Sequence, residues 1–222
     1  MNDETRREFL HRLALAALAS PILLSCKQAA SAQTSNKDIL NSIRKNAVLP
    51  EDCGNWCGSA YEAPDDVSWR AVLAAKKDAG EPLIISGTVF QNDGVTPAPN
   101  VLVYAYHTDA KGYYGRGNGE HPHGKHHGWM LTDDQGRYEF RTIKPAQYPQ
   151  RDTPAHIHFT LAGTNFKEDW IDDVWFAGDN LITPEIIRKQ LIGKGGFNSI
   201  LKLQKDANGV LYGKRDIRLW KV

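Results

Sequence analysis

Two histidines one residue apart, His156 and His158, lie in the stretch Thr153-Pro154-Ala155-His156-Ile157-His158-Phe159-Thr160-Leu161. Period-two alternation along a strand sends Ile157, Phe159 and Leu161 to one face and His156, His158 and Thr160 to the other. At ~3.3 Å per residue the two α-carbons are roughly 6.5 Å apart, a span two imidazoles can close onto one ion. The alternative is a surface strand with two solvated histidines. Tyr148, in Pro145-Ala146-Gln147-Tyr148-Pro149, leads directly into this strand, and Tyr114 lies in Gly112-Tyr113-Tyr114-Gly115 after a run that ends near His107. The fixed φ of proline and the freedom of glycine both suit a side chain held at a strand mouth. Taken singly, each tyrosine reads as packing or surface. A second histidine group, His121-Pro122-His123-Gly124-Lys125-His126-His127, is expected to be a loop because of its glycine and proline. It could line a substrate mouth, bind copper or zinc, or be solvated.

These residues need elements to position them. After Pro82 the chain consists of short β-type runs separated by turns: Leu83 to Gln91, Asn100 to His107, Arg137 to Ile143, the histidine strand, Val174–Phe176 and Asp216–Val222. Residues from Pro184 to Leu203 read as mixed helix or loop. Strands at this spacing predict a mainly β protein, an antiparallel β-sandwich, over residues 83–222. Before it, residues 33–82 are expected to hold a linker, a short helix from Asp38 to Lys45 and a stapled loop around Cys53 and Cys57. A second helix is predicted after Pro64-Asp65-Asp66, with Val67, Ala71 and Ala74 on one face, running to Gly80.

The chain has 222 residues, 41% hydrophobic, enough to bury a substantial core. Its 27 basic and 26 acidic residues leave a formal charge of +1, so no nucleic-acid footprint is visible. Residues 1–32 read as an export signal. Arg6-Arg7 before Phe9-Leu10 resembles a twin-arginine signal, and the apolar run that follows is too short to span a bilayer. Leu23-Leu24-Ser25-Cys26 resembles a lipobox, which would tether the mature protein by a lipid on Cys26; Ala30-Ser31-Ala32 is the rival cleavage site. Export to the periplasm or cell surface would let Cys53 pair with Cys57.

The joint pattern resembles the intradiol ring-cleavage dioxygenases, the protocatechuate and catechol dioxygenase family. Gly112-Tyr113-Tyr114 matches the family's Gly-x-Tyr, and Thr132-Asp133-Asp134-Gln135-Gly136-Arg137-Tyr138-Glu139-Phe140-Arg141-Thr142-Ile143-Lys144-Pro145 matches its Thr-Asp-x-x-Gly-x-Tyr-x-Phe-x-Thr-Ile-x-Pro. Tyr148-Pro149 and Pro154 to Phe159 follow, and Trp175-Phe176-Ala177-Gly178-Asp179 echoes the family's Tyr-Phe-x-Gly-Asp. The resemblance implies a β-sandwich of that type and an Fe(3+) site ligated by Tyr114, Tyr148, His156 and His158. It implies that a catechol binds there as a chelating dianion, with Tyr148 leaving to act as a base. With O2 the ring would open between its hydroxyl-bearing carbons to a cis,cis-muconate-type diacid. Ferric iron is hard enough to favour phenolate, whereas zinc has little need of two tyrosines. The arginine that many members carry just before Pro-Ala-His is Thr153 here; Arg151 is the candidate substitute. The substrate is expected to be a small-molecule catechol, and whether the chain forms a homo-oligomer is left open by the sequence.

Overall fold

The structure, a computed structural model, describes residues 35–53, 59–115, 121–190 and 193–220. The export signal, the tether and Cys26 lie outside the described residues, as does the pairing of Cys53 with Cys57.

The first element is helix α1 (Asn36–Arg44), where Ser35 accepts from Asp38 N as the N-cap and Ile39, Leu40 and Ile43 form the buried stripe. A single turn, α2 (Pro50–Cys53), and a 3₁₀ turn (Ala60–Glu62) follow. Among the described residues two sheets then form. One contains β1 (Arg70–Val72), β2 (Pro82–Phe90), β5 (Arg137–Ile143), β9 (Gln204–Lys205) and β10 (Leu211–Lys214), in the order β1-β5-β2-β10-β9, with β11 (Ile217–Arg218) also on β2. The other runs β4-β3-β6-β7-β8, from β4 (His126–Leu131), β3 (Leu102–His107), β6 (His156–Ala162), β7 (Asp169–Phe176) and β8 (Ile200–Leu201). The centre of each sheet is antiparallel, but β1 on β5, β10 and β11 on β2, and β8 on β7 are parallel, so both sheets are mixed.

The main core fills the space between the sheets, with Ile85, Tyr138 and Phe140 from one and Val103, Ile157, Phe159 and Leu161 from the other. A second core covers the opposite face of the β3–β6 sheet. There Ile39, Leu40, Ile43, Ala60 and Val67 pack on Leu102, Leu131 and Ala162. All of β3 is therefore buried, and the face that carries His156 and His158 is covered too.

Two expectations are corrected. The helix predicted to run from Val67 to Gly80 is absent. Residues 70–72 pair with β5 in a strand, and Leu73 N donates to Arg141 O (2.8 Å). Asp65 pairs with Arg44 (2.8 Å) rather than capping a helix. Pairing with a sheet edge outweighs local helical spacing here. The histidine group is not wholly loop, since His126 and His127 open β4, which pairs with β3 throughout. Helix α3 (Pro184–Gln190) occupies part of the stretch read as mixed.

Candidate metal centre

Each candidate ligand owes its position to a local feature. His156 and His158 project from one face of β6; Tyr106 lies opposite His158 on β3 and its ring stacks on that imidazole at 4.6 Å. Asp179 Oδ2 accepts from Ala155 N (3.1 Å) and anchors the approach to the strand. The two tyrosines come from separate loops joined at Asp109, whose carbonyl accepts from both Gly112 N and Ala146 N at 3.1 Å. Gly112 has φ +85°, and a Cβ there would lie 2.0 Å from Gln147 O, so the two loops approach only because that side chain is missing.

The four side chains named from the sequence meet at one point. Tyr114 Oη lies 2.5 Å from Tyr148 Oη, and His158 Nε2 lies 3.1 Å from each of them. His156 Nε2 is 3.2 Å from Tyr148 Oη and 3.1 Å from His158 Nε2. Donor atoms this far apart around a common centre would each sit roughly 2 Å from it, the length of a first-row metal's bond to nitrogen or oxygen.

The outward-facing ring nitrogens show that a cation fits. His156 Nδ1 donates to Pro154 O (2.7 Å) and His158 Nδ1 donates to Asp173 Oδ1 (2.8 Å). With both protons on Nδ1, each Nε2 presents a bare lone pair. Two lone pairs facing each other at 3.1 Å cannot hydrogen bond to one another; each is left to accept from a tyrosine hydroxyl or to coordinate a cation. Burial, reinforced by the neighbouring His158, pushes the His156 pKa below the usual histidine range, so its ring is neutral at physiological pH. Burial raises both phenols, Tyr114 and Tyr148, above the ordinary tyrosine value. Only a strongly charged ion would hold them as phenolates. The donor set of two phenol oxygens and two imidazoles suits hard trivalent iron.

Other expected residues are placed differently. Arg151 is exposed, with its guanidinium 5.6 Å from the centroid of the Tyr148 ring. Thr153 is half-buried. The second histidine group splits: His121, His123 and His127 cluster around Tyr104, and His126 faces Asp78 and His107. His123 is buried, stacks on Tyr106 at 3.9 Å and shares a 2.8 Å hydrogen bond with Tyr104 Oη. His126 is buried beside Asp78 and stacks on His107, whereas His121 pairs with Glu62 (2.7 Å) and stacks on His127. Among the described residues the one His/Cys/Asp/Glu group able to hold a metal is His156, His158 and Asp173.

Sequence reasoning missed Asp173 and Tyr106. Tyr106 becomes a neighbour of His158 only through the β3–β6 register. Asp173 reaches it through a bulge, because Ile157 pairs with Val174 and Phe159 with Ile171, leaving Asp172 and Asp173 both opposite His158. The long Thr132–Pro145 motif builds the frame instead. Asp133 Oδ1 accepts from Gln135 N and Arg137 N to close a turn, and Tyr138 donates to Arg215 O (2.6 Å).

Known proteins agree with this arrangement. A family model described as Dioxygenase matches residues 60–207, which include all four convergent side chains. The chain is 34% identical over 133 residues to the protocatechuate 3,4-dioxygenase beta chain of Burkholderia cepacia, covering 52% of this chain and 56% of that one. It is 31% identical over 127 residues to catechol 1,2-dioxygenase of Acinetobacter baylyi, covering 48% and 40%. The chain thus spans about half the length of the curated relatives it matches. Among solved structures, 3-chlorocatechol 1,2-dioxygenase of Rhodococcus opacus superposes with a TM-score of 0.54 at 25% identity, over 72% of this chain and 68% of that one. The dioxygenase domain of a carbohydrate-binding fusion from Streptomyces sp. SirexAA-E shares the fold, with a TM-score of 0.52 at 23% identity over 71% and 91%. With its family model matched over more than half its length, the chain belongs to the intradiol ring-cleavage dioxygenase family.

Proposed function

We propose that this protein is a non-haem iron(III) dioxygenase that opens a catechol-type ring between its two hydroxyl-bearing carbons, with O2 as co-substrate, to give a cis,cis-muconate-type diacid. The observation that carries the reading is the convergence of Tyr114, Tyr148, His156 and His158, with both imidazoles locked as Nε2 donors. When bound, a ferric ion supplies Lewis acidity that draws electron density from a chelated catecholate and opens its ring to attack by O2.

The side chains then divide the work. His156 and His158 are fixed on a strand and have no freedom to leave, because each is tied through Nδ1. Tyr148 sits on a loop rather than a strand, and the family resemblance makes it the ligand that gives way as substrate enters. Released into a site where burial raises its phenol above the ordinary value, Tyr148 Oη is basic enough to take a substrate hydroxyl proton. The Arg151 guanidinium over its ring stabilises the phenolate before that transfer. The covered face around Tyr106 limits access of water to the imidazole side. On the strength of Arg6-Arg7 and the short apolar run before Cys26, we also propose that the protein acts outside the cytoplasm, tethered by lipid.

The test is an iron assay and visible spectrum of the purified protein, first alone, then anaerobically with catechol, then with oxygen admitted. A broad tyrosinate band that shifts with catechol and bleaches with oxygen to a muconate is the expected result. Iron uptake with no reaction would reduce the protein to a catechol-binding member of the family. A colourless protein that takes up no iron would sink the reading.

A further inference from the structure

The two imidazoles of the site are held in unequal ways. His156 Nδ1 faces a neutral backbone carbonyl, that of Pro154, whereas His158 Nδ1 faces the carboxylate of Asp173 at 2.8 Å. The β7 bulge creates the difference by setting two acidic residues opposite one histidine. They face different groups: Asp172 lies in the field of the buried Arg215 guanidinium, while Asp173 accepts the hydrogen bond from His158 Nδ1. The charge of Asp173 is therefore directed along the imidazole toward the point where the four donors meet.

We propose that Asp173 is a positioning residue that fixes the tautomer of His158 and, through that imidazole, places a negative charge behind the donor nitrogen at the metal centre. The inference rests on the ferric reading above. A carboxylate on the remote N–H of a metal-bound histidine fixes its tautomer and strengthens the donor nitrogen. Here it would lower the reduction potential of the bound ion and raise the energy of phenolate-to-iron charge transfer, since an ion richer in electron density accepts another electron less readily.

The variants Asp173→Asn, Asp173→Ala and Asp173→Glu separate charge from shape. Asn keeps a hydrogen-bond acceptor of the same size without the charge, and Glu keeps the charge on a longer arm. Each protein is loaded with iron(III); chelator competition, midpoint potential and the position of the visible band are then measured. The expected result is that Asp173→Asn and Asp173→Ala hold iron(III) about 10- to 100-fold more weakly, with a higher potential and a band at longer wavelength. Asp173→Glu should stay close to wild type in potential and band. If Asp173→Asn matches wild type in all three measurements, the carboxylate serves only as a hydrogen-bond acceptor and the proposal falls. It also falls if Asp173→Glu behaves like the alanine variant. Failure of the ferric reading shows separately, as a wild-type protein without iron or colour.

Discussion

In the proposed function the demands of binding and of turnover oppose each other at Tyr148. As a ligand it must be ionised and held beside Tyr114 Oη, 2.5 Å away; as a base it must leave and accept a proton. Burial raises the cost of its free phenolate, which strengthens it as a base once it is off the ion. Replacing Tyr148 with Phe removes both roles and leaves three donors in place. The expected outcome is retained iron, an altered visible band and catechol turnover reduced by about 100-fold or more, the usual contribution of a positioned base. Steady-state oxygen uptake with an iron assay checks it, and unchanged turnover would remove Tyr148 from the reaction. The histidines were readable from the sequence because a strand's period of two places them on one face whatever the fold. Asp173 was not, because its role depends on a bulge in a neighbouring strand.

At the scale of elements, two loops must meet before there is a site. Gly112 allows this, having both a left-handed φ and a Cβ position 2.0 Å from Gln147 O and 2.9 Å from Pro149 Cδ. Gly115 also has positive φ, +64°, but nothing lies within 4 Å of its Cβ position. Either glycine replaced by alanine meets backbone strain, of order 1–3 kcal/mol; only Gly112→Ala also pushes the tyrosine loops apart. Gly112→Ala is therefore expected to lose the tyrosinate band, and Gly115→Ala to keep it at some cost in stability. Equal bands in the two variants would show that the loops are not held together at Gly112. The expected helix from Val67 to Gly80 failed at this same scale. Of its apolar residues Val67, Leu73 and Ala74 are buried, but Ala71 is half-buried and Val72 exposed in β1, because the edge of β5 offered backbone partners.

For the whole described fold, the covering of the second face of the β3–β6 sheet is what turns a sandwich into a site scaffold. Glu168, buried next to β7, ties that cover down. It accepts from Val48 N, Ala60 N and Thr160 Oγ1, each at 3.1 Å, and its own N–H donates to Asn46 O. Each hydrogen bond accepted by a buried side chain contributes about 1 kcal/mol, so Glu168→Ala, which strands three donors, should cost about 3 kcal/mol in urea unfolding. Burial also raises the Glu168 pKa, which fixes the sign of a pH effect. Its contribution is full below the unfolded value of about 4.3 and declines as pH rises through the folded value. The stability of wild type relative to Glu168→Gln should fall as pH rises through that window. A difference that stays flat with pH would mean that burial does not govern this carboxylate.

What the sequence determined was local: strand alternation, turn chemistry and the cap of α1, together with motifs whose order pointed to the family. Alternation alone put His156 and His158 on one face, whereas Tyr114 and Tyr148 read singly as packing or surface, and only the resemblance to the family joined all four as a ligand set. The tertiary structure decided what those segments face. Strand register brought Tyr106 against His158, a bulge aimed Asp173 at the same ring, and packing on Tyr106 and His107 buried His123 and His126, which the sequence had left on a loop. Such neighbours are set by pairing between distant strands and by competition for buried surface, neither of which leaves a periodic trace along one chain.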